Sequence, residues 1–191
     1  METPIEFIVI TAPSGSGKTT IVKKLIEQVK DLEFSISATT RAKRPHEVDG
    51  KDYYFYSIKE FEKAIENDEF IEWEEVYPGK YYGTLKKEIL RIQKVKKLAV
   101  LDVDVQGALN LKKKFGNQLL SFFIKAPSLE IIRQRLIERK TDTPNEIEMR
   151  LAKAQYELQF ENRFDYVIIN DDLQNAVSQI VIILKQNGLM K

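Results

Sequence analysis

Between an apolar run and a helical repeat lies Ala12-Pro13-Ser14-Gly15-Ser16-Gly17-Lys18-Thr19, and no other feature constrains the fold as strongly. The octet follows the pattern G-x-x-x-x-G-K-[ST], with Ala12 at the place of the first glycine. Residues 7–10 before it form an apolar run that suits a strand buried on both faces. After it, Ile21, Val22, Leu25, Ile26 and Val29 recur at helical spacing. A strand, a glycine-rich turn and a helix in that order let successive backbone N–H groups curl around a phosphate. The helix N-terminus adds its positive dipole end. Lys18 is placed to reach the β- and γ-phosphates of a nucleoside triphosphate, and the Thr19 hydroxyl to bind Mg2+. Pro13, Ser14, Gly15, Ser16, Gly17 and Thr20 complete the expected nucleoside-triphosphate-binding stretch. Ala12 fits only where the backbone needs no positive φ.

The rest of the chain alternates similarly, with one interruption. Apolar strands are expected at residues 98–103, 119–124 and 166–169, and helices at 86–97, 106–115, 129–140, 145–162 and from Leu173 to Leu184. Residues 37–96 break the pattern with Thr, Arg, Asp and Tyr, short aromatic runs and one helix near 58–67, and read as an inserted subdomain. The expected fold class is α/β: a phosphate-loop parallel sheet flanked by helices, with residues 1–36 and 97–191 as its core. At 191 residues there is room for one such unit and its insertion.

Composition removes several function classes. Thirty Lys+Arg against 29 Asp+Glu leave a net charge of +1, too little for a generic nucleic-acid binder. The chain has no cysteine and a single histidine, His46, so thiol nucleophiles, Cys zinc sites and metal sites with two His ligands are excluded. No apolar stretch approaches the roughly 18 residues a bilayer requires, so no membrane partner is expected. Residues 1–6 lack the basic-then-apolar pattern of a signal peptide, and a cytoplasmic location is expected. The lysine-rich stretch from Lys86 to Lys97 reads as a solvated helix face, and His46 as an exposed loop side chain.

Two acidic positions mark the end of the strand expected at 98–103. Asp102, at a strand end beside the phosphate loop, is a candidate for the Mg2+ environment. Asp104 points the same way if the strand continues, and is a candidate for contact with a second substrate. Within the insertion, Arg41 and Arg44 can form planar forks for phosphate oxygens, and Tyr53 and Tyr82 can add hydroxyl donors. Alone, two arginines beside a proline equally suit an exposed turn.

At this point the sequence resembles guanylate kinase along nearly its whole length. The resemblance is carried by A-P-S-G-S-G-K-T, S-A-T-T-R-x-x-R-P-x-E-x-D-G-x-D-Y-x-F, E-F-I-E-W, Y-Y-G-T, L-D-V-D-V-Q-G and I-I-N-D-D. It implies transfer of the γ-phosphoryl group of Mg·ATP to GMP, with Mg2+ as cofactor and ATP and GMP as the bound partners; it names no protein partner. It assigns Arg41, Arg44, Tyr53 and Tyr82 to the GMP phosphate, and Ser37, Glu72, Thr84 and Asp104 to guanine. Glu72 has its own chemical reason, because a carboxylate can accept from guanine N1–H and the 2-amino group together, whereas adenine N1 would repel it. The resemblance also makes residues 133–150 a lid, with Arg139 and Arg150 on the transferring phosphoryl group, and puts Asn170 near the adenine. Arg133 and Arg135 remain open between lid contacts and a solvated face. Lys140 stands where many relatives have glycine. The expected catalytic set is Lys18, Arg44, Arg139 and Arg150. Two other readings remain: a kinase for a different small acceptor, and a non-catalytic guanylate-kinase-like module that binds phosphopeptides.

Overall fold

The computed structural model describes residues 5–140 and 142–190. The reading of the first residues as free of a signal peptide rests largely on residues 1–4, which lie outside the described residues, as does position 141 of the lid segment.

In chain order the elements are β1 (Phe7–Thr11), α1 (Lys18–Gln28), β2 (Leu32–Ser35), β3 (Ser37–Thr39), β4 (Tyr54–Phe55), α2 (Ile58–Glu66), β5 (Phe70–Tyr77) and β6 (Lys80–Leu85). There follow α3 (Lys86–Lys94), β7 (Leu98–Asp102), α4 (Val105–Phe115), β8 (Leu119–Lys125), α5 (Leu129–Glu138), α6 (Pro144–Leu158), β9 (Tyr166–Ile169) and α7 (Leu173–Gln186). Five strands form a parallel sheet in the order β2-β7-β1-β8-β9, and four form a second sheet in the order β4-β3-β6-β5.

The period-2 alternation of β1 divides the core. Ile8 and Ile10 face a cluster with α1 and α7 (Ile21, Leu25, Val177, Ile180), while Phe7 and Val9 face one with α3 and α4 (Ile89, Ile92, Ala108, Leu111). Each fully buried aliphatic side chain of this kind contributes about 1.5–3 kcal/mol relative to exposure. Both faces are thus covered, which is why the strands read as unbroken apolar runs.

The second sheet has a small aromatic core, in which Phe61 of α2 stacks on Phe70 of β5 at 4.5 Å beside Leu85 and Ala38. One residue, Ile36, separates β2 of the first sheet from β3 of the second. Its N–H donates to the buried Glu88 carboxylate of α3 at 3.0 Å, which also accepts from the Tyr54 hydroxyl at 3.0 Å and from Arg91. The junction is therefore hydrogen-bonded to both units.

Several boundaries differ from the sequence reading; α5 ends at Glu138 and α6 at Leu158, short of the expected 140 and 162. The basic helix stops at Lys94, because the chain turns there and Lys96 takes a left-handed φ of 55°. The strand expected to run through residue 103 ends at Asp102, so Asp104 is not a strand residue. It is the N-cap of α4, its side chain accepting from the Gly107 N–H at 2.9 Å.

Candidate active site

The loops that follow β1 and β7 open on the same edge of the main sheet, the edge where parallel sheets bind ligands. In the phosphate loop Gly15 and Gly17 take φ of 86° and 91°, while Ala12 is not among the positive-φ residues. A Cβ at Gly15 would lie 2.9 Å from the Ile132 side chain, and one at Gly17 would lie 2.3 Å from the Asn170 amide nitrogen. Glycine is required at both for conformation and for space. The loop is braced from behind: the Ser16 carbonyl accepts from the Asn170 amide at 2.7 Å and from Arg135 at 3.2 Å. Arg135 also donates to the Asn170 carbonyl at 3.1 Å. Asn170 is buried, and with Thr20, Arg135, Arg139 and Leu173 it borders a hollow on the outer side of the loop.

Lys18 opens α1 and aims its ammonium at the end of β7. There it donates to the Val103 carbonyl at 2.6 Å and pairs with the Asp102 carboxylate. The loop lysine and the candidate Mg2+ carboxylate are thus neighbours. Thr19 and Thr20 are exposed in the first turn of α1. Among the described residues no three acidic or histidine side chains converge as a metal cage.

Across the cleft, the insertion supplies a cationic corner. Arg41 is gripped by both oxygens of Glu47 at 2.8 Å each, and Glu47 also accepts from the Arg44 N–H at 2.8 Å. Burial alone would raise the Glu47 carboxyl, but the Arg41 guanidinium and the Arg44 N–H outweigh it and hold it at about 2. The Arg41 guanidinium also lies 5.1 Å from the centre of the Tyr53 ring, and Tyr53 packs edge-on to Tyr82. Burial pushes the Tyr53 hydroxyl up, so it stays a donor at neutral pH.

The other end is acidic. Register aligns Ser37 of β3 with Thr84 of β6, and Thr84 with Glu72 of β5, so three adjacent strands contribute one polar row. The Thr84 hydroxyl donates to Glu72 at 2.6 Å. Burial pushes the Glu72 carboxyl up to about 7; Thr84 opposes this, and the charges of Asp104 and Glu74 add to it. A Cβ on Gly107 would fall 2.8 Å from Glu72 Oε2 and 3.1 Å from Asp104 Oδ1, so this glycine lets α4 approach the two carboxylates.

Helix α6, started by a Thr143/Glu146 capping box with Pro144 at its first position, forms the third wall. Arg150 donates to the Ser14 hydroxyl at 3.1 Å and pairs with Asp142 at 3.1 Å. Arg139 lines the same cleft, and desolvation together with the charges of Arg44 and Arg150 holds it below the usual guanidinium range. Arg133 turns away and pairs with exposed Glu148 of α6. The cleft holds about 1050 Å3 of space, part of it open to solvent. Its lining includes a cationic group, in which Arg139 feels the charges of Arg44 and Arg150, and an acidic group, in which Glu72 feels those of Asp104 and Glu74, with Lys153 beside Asp104 and Glu157. A pocket with both groups suits a molecule that carries phosphates and a hydrogen-donating ring.

Several residues in or behind the cleft have no role assigned in the sequence reading. Glu47 and Gly107 occur in the motifs quoted above, as the Glu of R-P-x-E and the Gly of V-Q-G, but their tasks appear only in three dimensions. Lys153 and Glu157 of α6 and Tyr77 of β5 carry no local signal.

The family model for guanylate kinase matches residues 5–187 of the chain. A guanylate kinase of Bacteroides fragilis is 49% identical over 179 residues, covering 94% of this chain and 88% of its own. One from Thermotoga maritima is 42% identical over 180 residues, covering 94% and 86%. The crystal structure of guanylate kinase from Anaplasma phagocytophilum superposes with a TM-score of 0.79 at 31% identity, covering all of this chain and 89% of that one.

Proposed function

The chain belongs to the guanylate kinase family, and from that premise we propose how its cleft transfers the γ-phosphoryl group of ATP to GMP, giving ADP and GDP. The observation that carries the proposal is that one cleft is lined both by a cationic group, Lys18, Arg41, Arg44, Arg139 and Arg150, suited to phosphates, and by an acidic group around Glu72, suited to a guanine edge.

ATP lays its phosphates along residues 12–20, and Lys18 exchanges Asp102 for the donor phosphates. Mg2+ would be held by the Thr19 hydroxyl and, directly or through water, by Asp102; it would neutralise phosphate charge. A site with one carboxylate and one hydroxyl suits an ion that keeps most of its waters and phosphate ligands. GMP binds from the other side, with its phosphate on Arg41, Arg44, Tyr53 and Tyr82 and its base on Ser37, Glu72, Thr84 and Asp104. The Glu47 grip fixes the Arg41 fork before the ligand arrives, so little rotamer entropy is lost on binding.

No general base is needed. A nucleotide phosphate has a second pKa near about 6, so the attacking GMP oxygen is already anionic at neutral pH. It forms a new bond to the γ-phosphorus as the bond to the ADP oxygen breaks, and ADP leaves with that electron pair. Arg44, Arg139 and Arg150 stabilise charge on the equatorial oxygens. Approach of the insertion and residues 133–150 towards the loop would exclude the water that would otherwise hydrolyse ATP.

The test is Lys18→Ala. Turnover should fall by about a thousandfold or more while GMP binding, measured by calorimetry, stays near wild type. Near-normal turnover in that variant would contradict the mechanism.

A further inference from the structure

One cation of the cleft takes no part in the phosphate chemistry above. Lys153 lies three residues after Arg150 and four before Glu157, so all three project from one face of α6. Its ammonium lies 3.3 Å from the Val76 carbonyl of β5, 3.5 Å from Glu157 Oε1 and 3.7 Å from Asp104 Oδ2. The Tyr77 ring closes the remaining side, its centre 4.8 Å away. The ammonium thus joins three elements: α6, β5 of the insertion and the cap of α4.

Asp104 has divided duties. Its Oδ1 is committed to the Gly107 N–H, leaving Oδ2 to face the cleft and Lys153. Glu72 lies close by, since both carboxylates border the space that a Gly107 side chain would fill. Two carboxylates that close repel each other, and one relieves the strain by turning away. That change would spoil a pair of acceptors aimed at adjacent N–H groups. A cation fixed beside Asp104 removes that pressure.

We propose that Lys153 is a positioning residue for the acceptor base: by tying Asp104 to α6 and β5, it holds the Asp104 carboxylate in place beside Glu72, so that the two together accept from the N1–H and 2-amino edge of guanine. The inference rests on the assignment of those two carboxylates to the base. It predicts that the benefit of Lys153 appears only with a base that carries the 2-amino group. Hypoxanthine, which has N1–H without the 2-amino group, should gain far less.

The experiment compares Lys153→Met and Lys153→Arg with the wild type in steady-state kinetics on GMP and IMP at saturating Mg·ATP, with thermal melts of each variant. Lys153→Met should raise KM for GMP roughly tenfold, change kcat less than about threefold, and cut the GMP-over-IMP ratio of kcat/KM about tenfold. Lys153→Arg should restore most of that ratio. Because Lys153→Met leaves the buried Glu157 without its nearest cation, the double variant Lys153→Met/Glu157→Gln serves if the single one unfolds, and it must show the same loss of ratio. An unchanged ratio overturns the inference, as does an equal loss on both substrates with a lowered melting temperature. A wild-type protein with no preference for GMP over IMP would overturn the base assignment itself, and the inference with it.

Discussion

A guanidinium that must meet a phosphate is most useful when it is already pointed, and Glu47 does the pointing for Arg41. Both of its oxygens are engaged, and only 7% of the residue is exposed. With a folded value of about 2 against an ordinary 4.5, the carboxylate adds stability that is fully present above about 4.5 and lost as pH falls through about 2. Linkage over that interval amounts to about 3 kcal/mol. Glu47→Gln should therefore cost about 2–3 kcal/mol in urea unfolding at pH 7 and raise KM for GMP about tenfold. The stability difference should shrink towards pH 2; a gap that stays constant from pH 7 to pH 2 would show that charge is not its origin. Lys140 makes a smaller case. It holds φ of 52° without the freedom of glycine, which costs about 1 kcal/mol. Lys140→Gly should raise the urea midpoint by an amount worth at most about 0.5 kcal/mol, the entropy of glycine taking back part of the gain, with kcat within about twofold. A lowered midpoint would mean that the Lys140 side chain holds the turn through contacts.

At the scale of elements, the phosphate loop is shaped by its neighbours as much as by its own glycines. The turn after β9 brings Asn170, and α5 brings Arg135, to the same Ser16 carbonyl. Asn170→Ala should leave that carbonyl with Arg135 alone and raise KM for ATP about tenfold while leaving KM for GMP nearly unchanged. An equal rise for both substrates would place the effect in the whole cleft and not in the loop. What the sequence made legible follows the same division between local and distant causes. The loop, the buried strands and the amphipathic helices were readable because their chemistry lies in consecutive residues. Whether Asp104 continues the strand is not decided locally, because Asp102-Val103-Asp104 fits a strand's alternation as well as it fits a helix cap, and only the start of α4 decides between them. Arg135 was ambiguous because its partners come from residues 16 and 170. Lys153 and Glu157 look like any charged pair on a solvated helix until α6 is seen against β5 and the cap of α4.

Taken whole, the molecule keeps a net charge of only +1 yet separates its charges inside one cleft. The main sheet supplies the phosphate loop and Asp102, the second sheet supplies the acceptor grip and Glu72, and α6 spans the two. Ile36 and the Glu88 network tie the two sheets together where they join. The central claim is that this division selects one acceptor. The most direct measurement is ADP release with Mg·ATP and, separately, GMP, AMP, CMP, UMP and dTMP. The account predicts turnover with GMP and, on the others, kcat/KM lower by about 10⁴-fold or more, because Glu72 meets no matching pair of donors. Comparable turnover on any of the other four would contradict it.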